Sequence, residues 1–179
     1  MSTALLFGIA SLLIACGGSS SRDQKWGTVL SSSAYWSLRD AFSSGYQACL
    51  GTSTGLSCAW PVSAVFHCPQ GGTISPSGSV SGWLDSTGEG QLPAQFTLTP
   101  TNCSVDGTVL NGTSDITVSG QVTFANTSPR WPTTLKESGG FSFGPSPSGT
   151  CQMDVSTTVN SNSCTFTGTV CGQSVSGNC

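Results

Sequence analysis

The residues Ile116-Thr-Val-Ser-Gly-Gln-Val-Thr-Phe124 alternate between apolar and polar side chains. In an extended strand successive side chains point to opposite faces, so the apolar residues would share one face and the hydroxyls the other. Such a strand suits an antiparallel sheet that has one face against a core and the other in water. This stretch therefore predicts a sheet with a hydroxyl-rich outer face.

Short alternating runs of this kind recur along the chain, separated by Gly, Pro, Asn and Ser. Their spacing of about a dozen residues is typical of antiparallel sandwiches and barrels. We expect a mainly β domain, rich in Ser, Thr and Gly, folded as an antiparallel sandwich or open barrel. Residues 126–147 hold four of the nine prolines and are expected to form a long loop. The candidate strands are 62–67, 79–84, 95–99, 108–110, 115–124, 140–143, 152–159, 165–170 and 173–176.

A helical period precedes the β region, in residues 26–50. Apolar residues recur there at spacings of three and four, which predicts one N-terminal amphipathic helix of about four or five turns. Ser32 or Ser33 is expected to cap its N-terminus, and Gly51 to end it. The apolar stripe could stack a ligand, but at helical spacing it favours a role in the core. It consists of Tyr35, Leu38, Phe42, Tyr46 and Cys49.

Charged residues are scarce in this chain. Five basic and eight acidic residues among 179 give a net charge of −3, whereas Ser and Thr together supply 54 residues. So few basic residues leave no positive patch for nucleic-acid phosphates or anionic lipid headgroups. Low charge combined with 36 % apolar residues also argues against a disordered chain. The composition therefore predicts a folded protein with no nucleic-acid partner.

The N-terminus carries a targeting pattern. Residues 4–15 form an apolar run that suits the core of a signal peptide and is shorter than the about 20 residues of a membrane-spanning helix. The run ends in Leu13-Ile14-Ala15-Cys16, which resembles the lipobox of bacterial lipoproteins. The resemblance implies cleavage before Cys16, a diacylglycerol thioether on its sulfur, and an N-acyl chain such as palmitate. It also implies a place in the bacterial cell envelope, where Gly17 after the cysteine favours the outer membrane.

The lipobox divides the chain into three parts. Residues 1–15 would be the signal peptide, and residues 16–25 the lipidated cysteine with a flexible Gly/Ser tether. Residues 26–179 would form a single domain of helix and sheet, which is long enough to bury one core.

Eight cysteines follow Cys16, and an even number in an exported chain predicts four disulfides that staple the β domain. We expect Cys164 to pair with Cys179 across a hairpin that turns at Cys171-Gly172. Cys68 and Cys103 flank a strand-rich segment and form the second expected pair. We expect no metal site, because no Cys-x-x-Cys pair exists and the chain has one histidine. The eight are Cys49, Cys58, Cys68, Cys103, Cys151, Cys164, Cys171 and Cys179.

Candidate catalytic residues are few. A Ser or Cys nucleophile commonly needs a histidine base, and His67 adjoins Cys68, which we expect to be oxidised. Asp85 and Glu89 could serve as the carboxylate pair of a small hydrolase, although their sequence fits a solvated hairpin loop. No phosphate-binding glycine motif is present, and no cofactor is expected.

These patterns favour a non-catalytic structural or interaction role in the envelope, such as adhesion or envelope assembly. The expected partners are the membrane, through the lipid on Cys16, and a protein or a glycan. The alternative is a carbohydrate-binding module, since sugar rings stack on exposed aromatic side chains. Its candidate stacking residues are Trp60, Trp83 and Trp131, which lie in the β region. Exposure of two of them on one face would favour this alternative.

Overall fold

The computed structural model describes residues 21–50, 56–112, 116–126, 128–145 and 148–179, with the backbone alone for 44–50 and 56–58. Within these residues one helix, α1 (Ser21–Leu50), precedes twelve strands. The strands are β1 (Leu56–Val62), β2 (Phe66–His67), β3 (Thr73–Leu84), β4 (Gly90–Thr101), β5 (Cys103–Val105), β6 (Thr108–Gly112), β7 (Ile116–Ala125), β8 (Ser128–Arg130), β9 (Thr133–Gly144), β10 (Gly149–Val159), β11 (Cys164–Val170) and β12 (Gln173–Asn178).

The described strands all belong to one antiparallel sheet. Its main path runs β1-β3-β4-β7-β9-β10-β11-β12, and short strands add to it at the sides. β6 and β7 pair with successive parts of β9, at residues 141–144 and 135–138. The predicted mainly β, antiparallel class with one helix is confirmed, and the sheet stays open rather than closing into a barrel.

Helix α1 packs on the inner face of the sheet, and strands near both ends of the path contact it. Near its start, the ring of Trp26 meets Phe141 edge-on with centroids 5.5 Å apart. Further along, the ring of Phe42 lies 5.6 Å from that of Phe124. Tyr35 and Leu38 are buried between these contacts. The core role predicted for the apolar stripe is thus confirmed for its described side chains, while those of Tyr46 and Cys49 lie outside the description.

The helix starts earlier than the sequence predicted. It already includes residues 21–25, although the sequence predicts a tether through residue 25, and Asp23 in its first turn is buried. Ser32 and Ser33 lie in mid-helix, so the prediction that either caps the N-terminus was wrong. Serine is tolerated there because its hydroxyl can bond to the preceding turn, as the Ser33 Oγ does by donating to the Leu30 carbonyl at 2.7 Å.

Residues 126–147 do not form a long loop. They include β8 and all of β9, and β9 is an interior strand with partners on both sides. The loop prediction was wrong because the prolines fall outside β9. Pro132 precedes its first residue and Pro145 follows its last, and at these ends no ladder hydrogen bond is lost.

Three disulfides join the described strands and loops. They are Cys68–Cys103, Cys151–Cys171 and Cys164–Cys179. The first and the third are the pairings expected from the sequence. Cys171 and Gly172 form the turn between β11 and β12 with φ angles of 52° and 75°, as a two-residue hairpin of this kind requires. Cys16 and the side chains of Cys49 and Cys58 lie outside the described residues.

We predict that Gly78 tolerates no side chain. Its φ is 149°, and a Cβ placed there would lie 2.5 Å from the Phe96 Cα on β4. Gly78→Ala should lower the free energy of unfolding by about 2–3 kcal/mol in urea denaturation, because β4 must move. Gly107→Ala is the matched control, since its φ is 74° and nothing lies within 4 Å of the added Cβ. It should lose about 1 kcal/mol from backbone strain alone. Equal losses in the two variants would contradict the close-approach explanation.

Candidate functional site

The outer face of the sheet carries a continuous row of small polar side chains. One residue from each of seven neighbouring strands lies directly opposite the next, from β3 to β12. The alternation predicted for residues 116–124 is present, with Val118 fully buried and Thr117 exposed. We call this set the hydroxyl row. Its members are Ser77, Thr97, Thr117, Ser138, Asp154, Thr169 and Ser174.

A cleft of about 330 Å³ lies over one end of the hydroxyl row, on β3, β4 and β7. Hydroxyls of Ser77, Thr97, Thr117 and Ser119 and the amide of Gln95 line it. These groups both donate and accept hydrogen bonds, and none of them is charged. The cleft therefore offers neutral hydrogen-bond donors and acceptors to a polar ligand.

A second row crosses the same face nearer the β3–β4 hairpin, and it contains a large aromatic ring. Trp83 lies opposite Gln91, Gln91 opposite Thr123, and Thr123 opposite Arg130. Trp83 is 55 % exposed, and the other three side chains are exposed as well. Because neighbouring strands are about 4.8 Å apart, the row extends about 14 Å from Trp83 to Arg130. We call these four residues the Trp83 row.

The other two candidate tryptophans do not join this row. Trp60 is 4 % exposed, and its ring lies 5.8 Å from that of Phe42 on α1, so it belongs to the core. Trp131 is half-buried and packs against the same ring of Phe42, with centroids 6.2 Å apart. Trp36, which sequence reasoning did not single out, is 56 % exposed but lies on the helix. Of the three candidates, Trp83 alone presents its ring on the outer face.

Asp85 and Glu89 lie in the loop of the β3–β4 hairpin. The Oδ1 atom of Asp85 accepts hydrogen bonds from the Thr87 hydroxyl at 2.6 Å and from the backbone N–H groups of Thr87 and Glu89 at 2.9 Å. The bond from the Thr87 hydroxyl, followed by that from the Glu89 N–H, lowers the pKa of Asp85. This carboxylate shapes the turn, so the geometry gives the proposed hydrolase pair no support.

His67 is exposed at the end of β2. The sulfur of the neighbouring Cys68 is bonded to Cys103, so it is not a free thiol for an imidazole to activate. Across the ranges that the structure describes, no three side chains of His, Cys, Asp or Glu are grouped to hold a metal ion.

Glu137 is a carboxyl group buried completely between α1 and the sheet, and sequence reasoning missed it. The Thr157 Oγ1 on β10 donates to its Oε1 at 2.5 Å, and the Ser31 Oγ on α1 donates to its Oε2 at 3.4 Å. In the described part of the chain, no basic side chain forms an ion pair with it. Burial raises the pKa of Glu137 to about 7, although the two hydrogen bonds oppose the shift.

The position of Glu137 follows from strand alternation once residues 133–144 are known to form a strand. Thr133, Leu135 and Glu137 share one face, and all three are buried. Because the sequence predicts a loop for this stretch, the alternation was not recognised. Since Glu137 is closed off from solvent, it ties Ser31 of the helix to Thr157 of the sheet and does not meet a ligand.

Comparisons with known proteins identify no relative of this chain. No protein-family model, no curated protein and no solved structure matches it. The described part of the chain also contains no helix with the length and apolar character needed to cross a membrane. Function is therefore inferred from the surface geometry and from the N-terminal pattern.

We predict that Glu137 makes the protein less stable as the pH rises from about 4.5 to about 7. In that interval the unfolded chain has lost the Glu137 proton and the folded chain still holds it, so raising the pH favours unfolding. The loss should total roughly 3 kcal/mol and level off above pH 7. Urea denaturation at pH 5 and pH 7.5 measures most of it.

Glu137→Gln should remove most of this pH dependence, because the amide can hold both hydroxyl partners without ionising. Glu89→Gln is the matched control, because Glu89 is exposed on the hairpin loop, and it should keep the slope of the unaltered protein. If Glu137→Gln shows that same slope, the buried carboxyl is not the group responsible.

Proposed function

We propose that this chain is a cell-envelope lipoprotein, anchored through Cys16, whose β domain has a non-catalytic structural or interaction role such as adhesion or envelope assembly. The observation that carries the interaction role is the outer sheet face, with its long row of hydroxyls and few charges. The Leu13-Ile14-Ala15-Cys16 resemblance supports the anchor.

The length of chain between anchor and helix supports a position beside the membrane. Ser21 is five residues beyond Cys16, and five residues reach at most about 18 Å when fully extended. A lipoprotein anchor of two or three acyl chains holds a protein stably, whereas a single chain binds reversibly. The β domain would therefore be presented close to the bilayer surface.

The polarity of the outer face supports an interaction role. Docking against a charged face requires ions to lose their water, which is costly unless each finds a partner. Along the hydroxyl row, Asp154 is the single charged residue. A polar partner can therefore bind this face through hydrogen bonds to uncharged hydroxyl groups.

Acylation at Cys16 is predicted to be detectable directly. Cells that express the protein and are fed an alkyne-bearing palmitate should label the unaltered chain, and Cys16→Ser should reduce the label to background because the thioether cannot form. Ser20→Ala, four residues further along, should label normally and serves as the control. Persistent labelling of the Cys16→Ser chain would contradict the anchor proposal.

The outer face is predicted to contact a partner in the intact envelope. A photoreactive benzoylphenylalanine in place of Thr117 should give cross-linked adducts of defined mass after irradiation of whole cells, since Thr117 lies in the hydroxyl row. The same group in place of Val65, which is 48 % exposed on the loop between β1 and β2, should give at most a tenth as much adduct. Equal yields at the two positions, or no adduct at residue 117, would contradict the interaction role.

Carbohydrate binding is the second candidate function, and exposed Trp83 is the observation that favours it. An aromatic side chain on an otherwise polar sheet face offers a flat platform for the C–H face of a sugar ring. Its support comes from a single candidate tryptophan, because Trp60 is buried and Trp131 packs against the core.

A further inference from the structure

We infer that the Trp83 row binds a polysaccharide that carries carboxylate groups, with one sugar ring on Trp83 and a carboxylate on Arg130. The inference rests on the proposed binding role of the outer face, and it names the chemistry of the ligand. The four side chains lie directly opposite one another on neighbouring strands, so they act as one surface.

Trp83 supplies the stacking platform. The strand alternation that buries Leu84 places Trp83 on the outer face, where 55 % of its surface is open. Pro93, which is exposed on β4, adds apolar surface to the same face. A sugar ring has one face rich in C–H groups, and it can cover this surface while its hydroxyls stay in contact with polar neighbours.

Gln91 and Thr123 supply those polar neighbours. They lie between Trp83 and Arg130 and are exposed. The amide and the hydroxyl both donate and accept, which matches the hydroxyl groups of a sugar. Because the row is about 14 Å long, one ring on Trp83 cannot reach Arg130, so the ligand must be a chain of sugars.

Arg130 supplies the group that would bind a carboxylate of the ligand. In the described residues Arg22 and Lys25 are ion-paired with Asp23 and Asp106, whereas no ion pair involves Arg130. A guanidinium group binds a carboxylate through two parallel hydrogen bonds, a geometry that few other groups satisfy. The chain as a whole has a net charge of −3, so it repels polyanions in general and a local site must supply the attraction.

The test uses the purified full chain in detergent with three carboxylated polymers: polygalacturonate, alginate and hyaluronate. Affinity electrophoresis or titration calorimetry measures the binding. At least one polymer should bind, and raising the salt from 50 to 500 mM should weaken it at least fivefold. For polygalacturonate the methyl ester is a matched ligand, since the sugar chain is unchanged and the charge is gone. A polymer that binds should do so at least tenfold more tightly than its neutral counterpart.

Variants assign the binding to the row. Trp83→Ala should weaken binding at least tenfold, and Trp83→Phe should recover part of the loss because a ring is restored. Trp36→Ala is the matched control, since Trp36 is equally exposed but lies on the helix. Arg130→Gln should weaken binding of the carboxylated polymer about fivefold to tenfold and leave the neutral one unchanged.

Several results would overturn the inference. These are no binding of any of the three polymers, equal binding of charged and neutral chains, or a Trp83→Ala variant that binds as well as the unaltered protein. If these occur while the cross-link at residue 117 persists, the outer face contacts a partner of another kind and the proposed function stands. If residue 117 gives no cross-link either, both proposals fail.

Discussion

The burial of α1 against one face of the sheet is the constraint on which the rest of the structure depends. The described strands form a single sheet, and an antiparallel sheet can leave one face in water provided that the other is covered. Trp26, Leu30 and Leu38 are fully buried and supply that cover. Burying apolar surface contributes about 25 cal/mol per Å², so the contact with the helix stabilises the inner face of the strands.

A helix buried on most sides obeys rules that differ from those of a surface helix. Small side chains let the strands approach closely: a Cβ on Gly27 would lie 2.9 Å from the ring of Phe166. A polar group buried there is costly to leave without a hydrogen bond, and the Ser31 hydroxyl donates one to Glu137. Because a buried carboxyl is costly to leave unpaired, this bond favours the one rotation and height of the helix at which Ser31 and Thr157 both reach it.

This environment explains which features the sequence could predict. Local patterns sufficed for the β class, for the Cys171-Gly172 turn and for the pairing of Cys164 with Cys179, because each follows from neighbouring residues. The start of α1 was missed, since serines that signal a helix cap on the surface are accommodated inside a core. The first part of β9, residues 133–139, and buried Glu137 were missed because prolines near a strand and a charged residue within it both indicate a loop until the tertiary partners are known.

The face of the sheet on which each candidate tryptophan lies follows from the alternation of side chains along its strand, a pattern that can be read from the sequence. Val80 and Leu84 are four residues apart in β3 and both face the core, so Trp83 must face outward. Trp60 lies opposite Val80 and therefore faces inward. A shift of one residue between β1 and β3 would leave Trp60 opposite an outward residue and expose its ring. Alternation within β3 therefore places Trp83 on the outer face, where its ring does not contribute to the core beneath α1 and is open to a ligand.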